Sequence, residues 1–177
     1  LLQQRDAPLS LRATVSSQVT AYDPQARRIE FDASPWGGAG LLLEGNEVKE
    51  FFCLTWKPIE RMGVKIADPA FQTFWEFLTL ALCLVQWAWF GDLLVCGDNT
   101  ASLEMARSLK CSGKEVVIAR ELAWRMARYD WRFAVAHLPS EANVVADSPS
   151  RIADPGYVFA GLPSTCEGAA EVSVCVD

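Results

Sequence analysis

His137-Leu-Pro-Ser-Glu-Ala-Asn-Val-Val-Ala-Asp-Ser-Pro-Ser-Arg151 decides the reading of this chain, because three acidic anchors stand upstream of it. They are Asp32 in Ile-Glu-Phe-Asp-Ala-Ser, Glu76 in Gln-Thr-Phe-Trp-Glu-Phe-Leu, and Asp98 in Leu-Leu-Val-Cys-Gly-Asp-Asn-Thr. Each stands where an apolar run begins or ends. There a charged group stays at the edge of a core while its backbone is held rigidly. With Asp147 they make four carboxylates. Converging on one spot they repel each other, so the cluster is stable only if cations neutralise it. Hard oxygen ligands point to magnesium or manganese rather than to zinc, which takes nitrogen and sulfur.

Outward from these anchors the hydrophobic pattern gives an order of elements. Ile29 and Phe31 alternate with Glu30 and Asp32, the mark of a half-buried strand. Pro35-Trp36-Gly37-Gly38 reads as a turn and Leu41 to Leu43 as a second strand. Glu44-Gly45-Asn46-Glu47 reads as a hairpin turn, and Val48 to Trp56 as a third strand. Three strands joined by tight turns predict an antiparallel meander. A loop over 57–70, with Pro58 and Pro69, crosses to a long helix at about 71–89. Residues 92–97 form a short apolar strand of the kind found at a sheet centre. An amphipathic helix follows over 100–110 through Leu103, Ala106 and Leu109, with Asn99 or Thr100 as its cap. Ser112-Gly113 breaks it, and a further helix spans 114–129 with Val116, Ala119, Ala123 and Met126 on one face. Residues 131–138 alternate as a final strand, and the chain turns helical from Glu141. The predicted fold is α/β, βββαβααβα along the chain, with a five-stranded mixed sheet flanked by helices.

The ordered set of motifs resembles the RNase H domain of reverse-transcribing retroelements, especially the LTR gypsy and DIRS types. There an Asp-Ala-Ser strand, a Glu-bearing helix, a strand ending in Asp-Asn or Asp-Ser, and a His-x-Pro-…-Asn-x-x-Ala-Asp-x-x-Ser-Arg box recur in this order. The resemblance covers roughly residues 28–152. The closing box matches at His137, Pro139, Asn143, Ala146, Asp147, Ser150 and Arg151. It implies an RNase H-like fold and an endoribonuclease that cuts the RNA strand of RNA–DNA hybrids, leaving 5′-phosphate and 3′-hydroxyl ends. It implies two Mg2+ ions, with Mn2+ as a substitute. Asp32 would bridge both, Glu76 and Asp98 would hold the leaving-group ion, and Asp147 the ion on the nucleophile side. His137 would assist exchange and product release near the metals.

Other residues read two ways. Ser34 and Asn99 flank two of the ligands and carry donors for a phosphate or a 2′-hydroxyl. Gln72 and Thr73 precede Glu76 by one helical turn and lie on its side of the helix, facing substrate, although Thr73 serves equally as a cap. Arg151 is a further candidate substrate contact, and Asn143 is expected to satisfy backbone groups at the start of the last helix. Two features depart from the family: the glycine spacing in Pro35-Trp36-Gly37-Gly38-Ala39-Gly40, and Pro149 two residues after Asp147. Proline is tolerated in a first helical turn but breaks a helix interior.

The length of 177 residues, with 51% hydrophobic, suits one well-packed domain. Residues 1–27 read as a connector or extension, 28–152 as the domain, and 153–177 as an acidic, flexible tail. Six cysteines show no Cys-x-x-Cys pair, and Cys83 and Cys96 lie in apolar runs, so reduced, packed thiols are expected. The single histidine argues against a His-rich metal site. The apolar run Phe77 to Phe90 has 14 residues, short of the roughly 20 that span a membrane, and reads as a core helix. No segment has the form of a signal peptide, and a first residue of Leu suits a piece excised from a polyprotein. The expected location is intracellular, in the cytoplasm or within retroelement particles, and not secreted.

The net charge of −6 sits awkwardly with a nucleic-acid substrate, whose sequence-independent affinity comes from Lys and Arg. The metal-bound acids and the tail, which has no Lys or Arg after Arg151, account for part of it. Lys114, Arg120, Arg125, Arg128 and Arg132, interleaved with Trp124 and Trp131, are the one basic concentration. They form either a nucleic-acid contact or a solvated helix face laced with Glu115, Glu121 and Asp130. The stretch from Leu109 to Val116 has no room for the extra basic helix of cellular RNase H enzymes. Weak affinity of the isolated domain is therefore expected, with tethering to a reverse transcriptase polymerase. Two other classes stay open: a catalytically silent RNase H-like scaffold, and another nuclease of the fold such as an integrase or resolvase.

Overall fold

The computed structural model describes residues 27–57, 65–90 and 92–174. All of the expected connector but Arg27 lies outside them, as does the middle of the 57–70 loop. Arg27–Ala33 (β1), Gly37–Glu44 (β2) and Glu47–Thr55 (β3) form the antiparallel meander. Leu93–Gly97 (β4) pairs parallel to β1, and Phe133–His137 (β5) parallel to β4. A two-residue strand, Ala170–Glu171 (β6), adds in parallel beside β3, giving the order β5-β4-β1-β2-β3-β6. The helices are Gln72–Trp87 (α1), Thr100–Ser108 (α2), Glu115–Tyr129 (α3) and Val144–Ser150 (α4). This is the expected α/β order βββαβααβα around a mixed sheet, with six strands rather than five. The sixth comes from the expected tail, where Cys166 is also buried against β2 and β3, so residues 166–171 are not a free tail. Two residues are too few for any alternation to announce a strand.

β1 is the axis of the sheet, antiparallel to β2 on one side and parallel to β4 on the other. Ile29, Phe31 and Ala33 enter the main core beneath α1. The other face of β1 was expected to meet solvent, yet Arg28, Glu30 and Asp32 are buried as well. A second apolar cluster of Leu41, Leu43, Val48, Phe51, Ala146 and Cys166 covers part of that face. Arg28 and Glu30 tolerate burial because they pair, Nε to Oε1 at 2.8 Å.

α1 is apolar nearly all round and buried from Phe74 to Leu84, as a core helix must be. Each of its fully buried leucines contributes about 1.5–3 kcal/mol of transfer free energy. Its contact with β2 explains the departing glycines. A Cβ at Gly38 would lie 2.4 Å from Thr79 Oγ1, and one at Gly40 2.5 Å from Cys83 Sγ. Gly37 and Gly38, expected in the turn, instead open β2. Trp75 of α1 stacks on Trp56 just after β3, with ring centroids 4.6 Å apart. Among the described residues no helix is long and apolar enough to cross a membrane, and the described cysteines are free.

Candidate metal centre

Three elements deliver carboxylates to one point. Asp32 is the penultimate residue of β1, Asp98 directly follows β4, and Glu76 lies in the second turn of α1. β1 and β4 are adjacent and parallel, so their carboxyl ends open side by side, the usual place for a ligand in an α/β sheet. One oxygen from each of Asp32, Glu76 and Asp98 lies within 4.8 Å of the others.

The electrostatics show what that costs. Asp32 is 6% exposed. Burial, with the charges of Asp147 and Asp98, pushes its carboxyl up to about 7, against hydrogen bonding from Ser150 and the Arg151 charge. Glu76 is 3% exposed. Burial and the charges of Asp32 and Asp98 hold it well above the ordinary carboxylate range, while Gln72 and the Ala33 backbone pull the other way. Glu76 Oε1 accepts from Gln72 Nε2 at 3.0 Å, but its buried Oε2 has no partner. Three hard oxygen donors, an unsatisfied buried carboxylate oxygen and suppressed ionisation fit a divalent cation such as magnesium or manganese.

Asp147 stands apart from the triad. It lies in α4, and its Oδ1 accepts from Arg151 Nε at 2.8 Å and Nη2 at 2.7 Å. Its charge still reaches Asp32. Pro149, without an N–H to continue the ladder, lies near the end of α4, which stops at Ser150. Arg151, expected to touch substrate, is thus engaged with Asp147. His137 is exposed at the end of β5, in register with Gly97 and so beside Asp98.

The other expected substrate contacts separate. Ser34 is buried, and its hydroxyl is occupied by the main chain. It donates to the Ser150 carbonyl at 2.8 Å and accepts from the N–H groups of Trp36 and Gly37. Asn99 caps α2, its side-chain oxygen accepting from Ser102 N–H at 3.0 Å. Thr73 is half-buried in the first turn of α1, where no side chain caps the helix. Gln72, expected to face substrate, turns inward to Glu76 and the Ala33 carbonyl. Asn143, expected to satisfy backbone groups at the start of α4, makes no side-chain cap bond there; its Nδ2 instead donates to the Phe31 carbonyl of β1 at 3.1 Å and to Asp32 Oδ1 at 3.3 Å.

Sequence reasoning missed two groups that hold the ligands. Ser140 donates to Asp98 Oδ2 at 2.8 Å, and Ser150 to Asp32 Oδ2 at 2.6 Å. Ser150 carried a signal, as a matched position of the closing box with no role attached. Ser140 carried none.

No family model matches the chain, and no curated protein matches it. Among solved structures it is similar to RNase H1 from the halophilic archaeon Halobacterium salinarum NRC-1. Identity is 17% and the TM-score 0.47, over 69% of this chain and 90% of that one.

Proposed function

We propose that the domain is a divalent-metal endoribonuclease acting on the RNA strand of RNA–DNA hybrids, as the RNase H domain of an LTR-type retroelement reverse transcriptase. The observation that carries the reading is the convergence of Asp32, Glu76 and Asp98 from three elements onto one point. These carboxylates belong to the motif set that resembles that family. They would hold Mg2+ or Mn2+, with Gln72, Ser140, Ser150 and Asn143 fixing their orientation. When bound, the ions would neutralise charge developing on the phosphodiester and acidify the attacking water. Arg151 would exchange its carboxylate partner for a substrate phosphate, a comparable planar anion contact, and free Asp147 to serve as the fourth ligand. His137, exposed beside Asp98, would assist exchange and product release at the rim.

One observation favours a second reading. With Asp147 tied to Arg151, the domain would bind a cation at the triad without cutting, as a scaffold. A single experiment separates the two: matched RNA–DNA, RNA–RNA, DNA–DNA and single-stranded substrates, with and without magnesium. Magnesium-dependent loss of the RNA strand of the hybrid alone is expected. Cleavage of the DNA strand would overturn the substrate, and no cleavage with intact metal binding would leave the scaffold.

A further inference from the structure

Ser150 is fully buried at the C-terminal end of α4, 118 positions from Asp32 in sequence. Its hydroxyl lies 2.6 Å from Asp32 Oδ2. The main chain around it is anchored separately. The Ser150 carbonyl accepts from Ser34 Oγ at 2.8 Å and packs closely on Gly37, where a Cβ would lie 3.0 Å from it and 2.4 Å from the Leu54 carbonyl. Asn143, just before α4, reaches the other oxygen, Asp32 Oδ1, at 3.3 Å. The two ends of one short helix therefore each present a donor to one oxygen of the same carboxylate.

The torsion that turns a carboxylate plane is broad and roughly two-fold. Left alone, Asp32 would sample orientations that do not face Glu76 and Asp98. A donor on each oxygen removes that freedom. Ser150 has one hydroxyl proton and two acceptors in reach, because Asp147 carbonyl oxygen lies 2.8 Å away. The shorter contact is to a carboxylate, and such charge-assisted bonds are about twice as strong as neutral ones.

We propose that Ser150 is a positioning residue of the metal centre, its hydroxyl setting the plane of the Asp32 carboxylate so that α4 serves the site independently of Asp147. The inference rests on reading Asp32, Glu76 and Asp98 as a cation site, and partners of this kind typically change metal affinity by about 10–100-fold.

The test is Mn2+ titration calorimetry on the full 177-residue chain, with thermal melting in parallel, for wild type, Asp32→Asn, Ser150→Ala, Ser150→Cys and Ser34→Ala. Ser34→Ala cuts the tie to the same segment without touching Asp32. Ser150→Cys keeps the volume with a weaker donor, and so provides the test if the alanine variant does not fold. The expected result is a loss of Mn2+ affinity of about 10–100-fold in Ser150→Ala, a smaller loss in Ser150→Cys, and in Ser34→Ala a lower melting temperature with little change in affinity. Wild-type affinity in Ser150→Ala, or in Ser150→Cys where that is the folded variant, would overturn the proposal. So would losses in the Ser150 and Ser34 variants that simply follow their loss of stability. Failure of the wild type to bind Mn2+, or undiminished binding by Asp32→Asn, would instead remove the cation site itself.

Discussion

Gln72 donates to Glu76 Oε1 at 3.0 Å, one turn along α1, and the same amide reaches the Ala33 carbonyl beside Asp32. One side chain thus ties the helix that brings Glu76 to the strand that brings Asp32. Gln72→Ala should cost about 1 kcal/mol of stability through the lost hydrogen bonds. It should also weaken Mg2+ or Mn2+ binding by at least tenfold, because Glu76 loses the donor that orients it. Melting and calorimetry together check this. Normal metal affinity in a destabilised Gln72→Ala would confine the residue to the helix–strand contact.

The raised carboxyl groups of Asp32 and Glu76 give the metal-free chain a distinctive response to pH. Between the unfolded value of 3.8 and the folded value of about 7, the folded chain holds the Asp32 proton that the unfolded chain has released. The proton count therefore favours folding as pH falls, and this contribution is lost as pH rises through the same window. Metal-free Asp32→Asn should then be more stable than wild type at pH 8, on the order of a few kcal/mol, with the difference shrinking toward pH 4. Hydrolysis should be abolished in the same variant. Magnesium should reverse the trend, stabilising wild type more at pH 8 than at pH 5 because it competes with protons. Melting curves of both proteins in chelator and in magnesium measure all of this. An Asp32→Asn chain less stable than wild type at pH 8 would contradict the cost of burying the Asp32 charge beside Asp147 and Asp98.

The parts of the fold that follow a period were legible in the sequence. β1 announced itself by alternation and α2 by the amphipathic spacing of Leu103, Ala106 and Leu109, and their order followed. What escaped was set by tertiary contact. The charged face of β1 looked solvent-bound, because alternation reports two faces and does not say whether the polar one is later covered. Leu41, Leu43, Ala146 and Cys166, from distant parts of the chain, help to cover it. At the site, Asp32, Glu76 and Asp98 were readable because each sits at a predicted element end. The groups that orient them were not, since Ser140 and Ser150 meet their carboxylates across 42 and 118 positions. Ser34 and Asn99 were read as donors to substrate because they neighbour ligands. Ser34 instead donates its hydroxyl across 116 positions to the Ser150 carbonyl, while the Asn99 side-chain oxygen caps α2 locally, as Asn often does.

His137 is exposed at the end of β5, one strand from Asp98, and the structure shows no hydrogen bond fixing it to the triad. A residue so placed suits product release better than metal holding. His137→Ala should slow multiple turnover on hybrid several-fold while leaving the single-turnover rate nearly unchanged. A group essential to the chemical step would depress both equally. Equal loss in the two regimes would move His137 into the catalytic core.

The final prediction concerns how the domain stays on its substrate. The chain carries a net charge of −6, and in its basic stretch Arg125 pairs with Glu121 at 2.6 Å and Arg132 with Asp130 at 2.8 Å. These are exposed pairs on and just beyond α3, the arrangement of a solvated helix face. Nucleic-acid affinity comes chiefly from cations that release phosphate counterions, and it falls with salt in proportion to the number of contacts. The domain alone should therefore bind hybrid weakly and cut it only at high enzyme concentration. Its affinity should fall only shallowly as salt rises, because few phosphates are contacted. Fusion to an upstream polymerase domain should restore activity at low concentration, since tethering raises the local substrate concentration without any new contact here. Fluorescence anisotropy of labelled hybrid across a salt series, with and without the fusion partner, measures both effects. Tight binding by the domain alone, with a steep salt dependence, would reveal a basic substrate surface that the Arg125 and Arg132 pairings argue against.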